Sequence, residues 1–363
     1  MTKQVYNFGA GPAMLPVPVM QQIQEEFLDF QGMGISLIEL SHRSKEFEAV
    51  INNCDDLIRE LANLPDNYKI LYTHGGAQMQ FAGVPLNLLG LKPAHKAVYS
   101  ETGNFSKLSN KEAARYGEII IASTSAETNY DRIPALTADM IPDDASYAYI
   151  TSNNTIYGTR YHEFPDTGAT PLAIDATSDI FSRVIDFSKI GLMFAGMQKN
   201  LGPAGTAVVI VREDLIGHAL ERTPSLMDYA TYEKSHSLSN TNNTFAIYTM
   251  SLVMQWLKDQ GGIAAIEKVN EAKAATLYDV IDNSDFYTGT AHPDHRSIMN
   301  VTFTLPDDDS TSAFLKQAGD NDLYALKGHR NVGGVRASIY NAMPLAGCEK
   351  LAEFMQEFAR TQG

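Results

Sequence analysis

Two residues near the middle of the chain can do chemistry together: Asp175, which closes the apolar run PLAID, and Lys199, which lies within GLMFAGMQKNLGPAG. Both stand where an apolar, strand-like run ends, which is the edge of an α/β sheet at which ligands collect. A carboxylate placed there can keep a pyridinium nitrogen protonated, and a lysine amine can form a Schiff base with a cofactor aldehyde. Two strand ends of one sheet would then hold the two ends of one ring. The amine must be unprotonated to attack. Desolvation by the apolar approach 192–197, helped by nearby cationic charge, would lower its pKa in that direction. Taken alone, Lys199 reads equally well as a solvated loop lysine and Asp175 as a helix cap.

Three further features bear on the pair. His74-Gly75-Gly76-Ala77-Gln78 follows the run YKILYT and precedes the helix-like MQFAGVPLNLL, so its backbone amides can converge on a phosphate. Glycine turns between strand and helix are common, and by itself this one is weak evidence. Phe105, in ETGNFSKL, can lie flat on a cofactor ring, although an aromatic more often serves a core. Cationic side chains occur as His42-Arg43, His329-Arg330 and Arg336, the set expected for a doubly charged phosphate together with a carboxylate. Each arginine taken singly reads as a partner in a surface salt bridge. Only their joint occurrence in an acidic chain favours anion recognition.

The elements that must position these residues follow from periodicity. Short apolar runs rich in β-branched and aromatic residues predict strands at 68–73, 97–100, 119–122, 146–151, 171–175, 192–195 and 206–211. Alternation with helical stretches predicts an α/β fold built on a largely parallel sheet covered on both faces. In the helix predicted over 46–62, Val50, Cys54, Leu57, Ile58 and Leu61 make one apolar stripe, and Asn63-Leu64-Pro65 stops it. A long helix with Trp256 is expected over 244–258, ended by Gly261 and Gly262. The domain change is placed there. The expected division is an N-terminal segment at 1–15, a large domain at 16–262 and a small α+β domain at 263–363. The small domain is predicted as helix 264–281, strand 299–305, helix 311–318, strand 334–339 and helix 345–360.

Composition limits the rest. A chain of 363 residues with 44% hydrophobic and 20% charged residues can bury a sizeable core and has neither a disordered nor a fibrous profile. The net charge of −15 argues against nucleic acid and anionic membranes as partners, because both require a basic face. Cys54 and Cys348 lie in no metal-ligand or redox spacing, so reduced thiols and the cytoplasm are the expectation. The sequence shows no signal peptide, membrane span, internal repeat or metal-ligating cluster.

The segments NFGAGPAMLP, ELSHRSKEF, HGGAQMQF, AGMQKNLGPAG, VREDLIG, NTNNTFAIY, VIDNSDFY and LKGHRNVGGVRASIYNAMPL together resemble the phosphoserine aminotransferase family of class-V, fold-type I pyridoxal-phosphate enzymes. The resemblance runs from residue 7 to about residue 345. It implies a seven-stranded large domain, a small domain and a homodimer with shared active sites. Lys199 would carry pyridoxal 5′-phosphate and Asp175 would pair its ring nitrogen. Thr155 would bond the ring hydroxyl, and Gln198 the phosphate. Ala77 and Gln78 would form the phosphate turn, with Asn240 and Thr241 reaching it from the other subunit. His42, Arg43, His329 and Arg330 would hold the substrate's distal phosphate or carboxylate, and Arg336 the carboxylate beside the amino group.

Two departures from the family pattern stand out. Phe105 occupies a stacking position that is often Trp, and Ala77-Gln78 replaces a Gly-Arg pair seen in some members, which shifts reliance to backbone amides and the partner chain. The implied reaction transfers an amino group reversibly between L-glutamate and 3-phosphohydroxypyruvate, giving O-phosphoserine and 2-oxoglutarate in serine biosynthesis. Some members use a longer phosphorylated oxo acid in pyridoxine synthesis, and no motif here separates the two acceptors. Alanine–glyoxylate transamination would not need the repeated His-Arg pair, and cysteine desulfuration would need a mobile Cys. A non-catalytic phosphometabolite-binding protein is the alternative of a different class.

Overall fold

The computed structural model describes residues 5–362. Each of the seven runs expected as strands forms one: β1 (Tyr68–His74), β2 (Lys96–Glu101), β3 (Glu118–Thr124), β4 (Ala145–Thr151), β5 (Leu172–Asp175), β6 (Leu192–Gly196) and β7 (Thr206–Arg212). They make a single sheet in the order β1-β7-β6-β5-β4-β2-β3. β7 runs antiparallel to both its neighbours, and the other pairings are parallel. The carboxyl ends of the six parallel strands therefore share one edge of the sheet. Asp175 ends β5 there, and Gly196 ends β6 three residues before Lys199.

Side-chain alternation explains why the sheet is covered on both faces. Leu71, Tyr99, Tyr147, Tyr149, Phe194 and Val209 point to one face, where they meet Phe81, Val84 and Leu88 of helix α2 (Gly76–Leu88). Tyr72, Val98, Ile150, Ile174, Met193 and Val208 point to the other. There they meet Ile51, Leu57 and Ile58 of α1 (Lys45–Ala62) and Met250 and Leu257 of α4 (Thr244–Asp259). Helix α3 (Asn104–Ala113), which begins beside Phe105, follows β2. Burial of one such Leu, Ile or Val contributes about 1.5–3 kcal/mol, so strand and stripe periods that agree over seven strands specify this layering strongly.

α1 starts at Ser44, whose hydroxyl accepts from the Phe47 amide, and stops where Asn63 turns left-handed at φ 45°. α4 ends before Gly261 and Gly262, with φ of 93° and 78°, and α5 (Ile263–Asp282) begins at once. A second hydrophobic core gathers Leu277 and Ile281 of α5, Val301 and Phe303 of strand β8 (Asn300–Thr304), and Phe314 of α6 (Asp308–Asp320). Val335 and Ala337 of β9 (Val335–Ser338) and Leu351 of α7 (Leu345–Gln362) complete it. Phe8, near the amino terminus, packs into this second core and not the first. Among the described residues no helix is long and apolar enough to cross a membrane.

Candidate active site

A cavity of about 380 Å³ opens at the carboxyl edge of the sheet. Lys199, Asp175, Thr155, Phe105, Ala77, Gln78 and Gln198 all line it, so seven of the residues singled out by sequence come together. Lys199 is only 8% exposed. Its Nζ donates to Thr155 Oγ1 at 2.6 Å and lies 5.6 Å from the centre of the Phe105 ring. Burial lowers its pKa to about 8; the Arg336 charge acts in the same direction, and the Asp175 and Asp179 carboxylates oppose it. An amine tuned this way is partly neutral near physiological pH, as a nucleophile or general base requires.

Asp175 is buried and its carboxyl is pushed up by desolvation, an effect resisted by two hydrogen bonds from Thr177. The Thr177 amide and hydroxyl both donate to Asp175 Oδ1, at 3.0 and 2.5 Å, so Oδ2 is left for a ligand. Thr177 Oγ1 also accepts from the Gly196 amide at 3.2 Å, which fastens the end of β5 to the end of β6. Thr177 was not singled out in the sequence. The Asp-x-Thr spacing of an Asx turn was the signal that could have found it. The alternative reading of Asp175 as a helix cap fails, since the chain beyond it makes turns over 177–181 and no helix.

The phosphate turn is built by Gly75 and Gly76, at φ of 83° and 67°, conformations that a residue with a Cβ rarely adopts. α2 begins at Gly76 with no side-chain cap, so the first amides of a thirteen-residue helix face the cavity as an anion cradle. A Cβ on Gly196 would come within 2.5 Å of Gln198 Oε1 and 3.1 Å of the Ala77 amide nitrogen, so a larger residue there would displace Gln198 and crowd the start of α2. Gln198 Oε1 is itself buried without a hydrogen-bond partner among the described residues.

The other expected residues fall into two groups. Arg336 on β9 is half-buried, and among the described residues no carboxylate pairs with it. Its charge reaches Lys199 and His329, His329 is also beside Arg330, and none of Arg336, His329 and Arg330 lines the Lys199 cavity. Arg330 itself is exposed. His42 and Thr241, by contrast, line a separate groove of about 460 Å³, with Arg43 exposed beside it, and none of these three lines the Lys199 cavity. Asn240 contacts His74, its Nδ2 3.0 Å from the His74 Nε2. Cys54 and Cys348 are buried and unpaired, with thiols pushed up to about 12 by desolvation.

The donor set of the cavity fits pyridoxal 5′-phosphate. A poised amine suits the aldehyde, a buried carboxylate with one free oxygen suits a ring N–H, an aromatic ring can cover one face, and uncapped helix amides suit the phosphate. The family model for aminotransferases of class V matches residues 5–351. Phosphoserine aminotransferase of Geobacillus kaustophilus is 50% identical over 359 residues, covering 99% of each chain. The solved phosphoserine aminotransferase of Bacillus circulans subsp. alkalophilus has a TM-score of 0.96 at 43% identity, again over 99% of each chain. A pyridoxal-phosphate-bound phosphoserine aminotransferase of Trichomonas vaginalis matches with a TM-score of 0.92 at 34% identity, over 97% of this chain and 100% of that one.

Proposed function

The chain belongs to the class-V aminotransferase family, and on that premise we propose that it is a pyridoxal-phosphate-dependent transaminase acting between L-glutamate and 3-phosphohydroxypyruvate. The products are O-phospho-L-serine and 2-oxoglutarate, in serine biosynthesis. The observation that carries this reading is the meeting of Lys199 and Asp175, one buried amine of lowered pKa and one buried carboxylate, at neighbouring strand ends in a single cavity.

When bound, pyridoxal phosphate supplies an aldehyde that takes up the amino group and a ring that draws electrons from the substrate carbon. Lys199 Nζ is the base that removes and returns the proton at the substrate Cα, and its lowered pKa lets it do both near neutral pH. Thr155 orients that amine through its 2.6 Å contact. Asp175 Oδ2 holds the proton on the ring nitrogen, while Thr177 fixes the carboxylate plane. Phe105 excludes water from one face, and Ala77, Gln78 and Gln198 hold the phosphate end. Arg336, with no competing carboxylate, receives the carboxylate beside the amino group.

His329 and Arg330 serve the distal phosphate. His42, Arg43 and Thr241 support a homodimer reading: they lie at or beside a separate groove, away from the cavity of their own chain, and a second copy of the chain would bring them to it. The two buried, unpaired thiols support a reducing cytoplasmic setting and speak against cysteine desulfuration, which needs an accessible thiolate. The test is direct. The purified protein should be yellow and bleach with glutamate, Lys199→Ala should abolish the colour bound to enzyme, and 3-phosphohydroxypyruvate should restore it. A colourless protein indifferent to the cofactor ends the reading, and equal turnover of a non-phosphorylated oxo acid ends the substrate assignment.

A further inference from the structure

One part-buried polar assembly takes no part in the chemistry described so far, yet it touches the phosphate turn. β1 is an edge strand of the large sheet, and its free side is covered by the segment 236–242. The Tyr72 amide donates to Ser237 Oγ at 2.9 Å, and Asn242 Nδ2 donates to the carbonyls of Tyr72 and Ser237 at 3.0 Å each. His236 and Ser237 are both left-handed, at φ of 49° and 62°, two consecutive residues with side chains in a conformation that costs free energy unless contacts enforce it. One contact that ties this segment down joins a histidine to a carboxylate. His236 Nε2 lies 2.7 Å from Asp55 Oδ2 on α1, and the Tyr72 hydroxyl donates to the other oxygen of Asp55 at 2.7 Å. Four residues on, Asn240 bonds His74, the residue directly before Gly75 and Gly76.

We propose that His236 and Asp55 are positioning residues for the cofactor's phosphate: their contact latches the 236–242 segment to α1 and β1, and through Asn240 and His74 it braces the glycine cradle. The inference rests on the pyridoxal-phosphate reading above and adds to it a pH dependence of phosphate holding that neither Lys199 nor Asp175 supplies. The charges felt at His236 are Asp55 and Glu48, both on α1, with the neutral Tyr72 hydroxyl sharing Asp55 from β1. The hydrogen bond to Asp55 raises the His236 pKa above its ordinary 6.5. The latch is therefore fully charged below about pH 6.5 and weakens as pH rises through the raised value.

The experiment uses apoenzyme and pyridoxamine 5′-phosphate, whose amine cannot bond covalently to Lys199; the lysine's own titration is common to wild type and variants and cancels in the comparison between them. Its dissociation constant is measured by calorimetry from pH 6 to 9 for wild type, His236→Gln and Asp55→Asn. Glutamine still donates to Asp55 but does not titrate; asparagine keeps the shape and cancels the charge. The wild-type affinity should fall about threefold more across this range than that of either variant, a size set by a partly exposed ion pair. A purely structural role would lower affinity equally at every pH. Parallel profiles in wild type and in whichever variant folds overturn the latch while leaving the cofactor reading intact. Absence of binding by wild type at any pH overturns the cofactor reading, and the latch with it.

Discussion

Replacing Lys199 with Met should make the apoprotein more stable near neutral pH, even though it removes the amine proposed above to take the cofactor. Burial moves the lysine from 10.5 to about 8, a displacement worth about 3 kcal/mol between its two protonation states. The sign follows from linkage. Between pH 8 and 10.5 the unfolded chain binds the proton that the folded chain has released, so wild-type stability rises with pH across that window. Below it, the folded apoprotein carries a desolvated ammonium whose cost Asp175 only partly offsets. Methionine fills a similar volume without charge, and the loss of the Lys199–Asp175 attraction reduces the gain. The net expectation is about 1–3 kcal/mol at pH 7, and ~1–4 °C in Tm for a chain of this length. Urea denaturation of both apoproteins at pH 7 and pH 10.5 reads the effect. The difference should be large at the first pH and near zero at the second. A variant less stable than wild type at pH 7, or an offset that does not change with pH, would refute the account of Lys199 as a strained, desolvated cation.

Two further outcomes test other parts of the structure. Arg336→Gln should raise KM for glutamate about 10–100-fold with a much smaller change in kcat, because an unpaired guanidinium that binds a carboxylate in both ground and transition states contributes uniform binding; steady-state kinetics showing the reverse pattern would move Arg336 from binding to chemistry. Cys54 and Cys348, with thiols pushed up to about 12, should resist iodoacetamide in the native protein and both react in denaturant, as peptide mass spectrometry would show; rapid native alkylation of either would contradict its burial.

Local patterns carried most of the fold and the centre of the site. Strands such as 192–196 and helix α1 are specified by residues that repeat every two or every three to four positions, so their formation depends on neighbours in the chain. Asp175 and Lys199 were legible for the same reason, since each sits just past an apolar run, and runs of that kind end at the ligand-binding edge of a parallel sheet. What the sequence alone determined was therefore the seven strands of the large sheet, their covering on both faces and the candidate amine and carboxylate at its edge.

Tertiary structure decided which residues meet. Thr155 reaches Lys199 across 44 positions, and His236 reaches Asp55 across 181; no periodicity links either pair, because their approach depends on strand order and on where crossovers return. The His-Arg pairs look alike in sequence, yet His329 lies beside Arg336 while His42 lines a separate groove. Lys199 also owes its altered pKa to the fold: its neighbours in sequence supply apolar bulk, but burial in the folded protein, with the Arg336 charge of β9 acting in the same direction, is what makes the proton costly to keep.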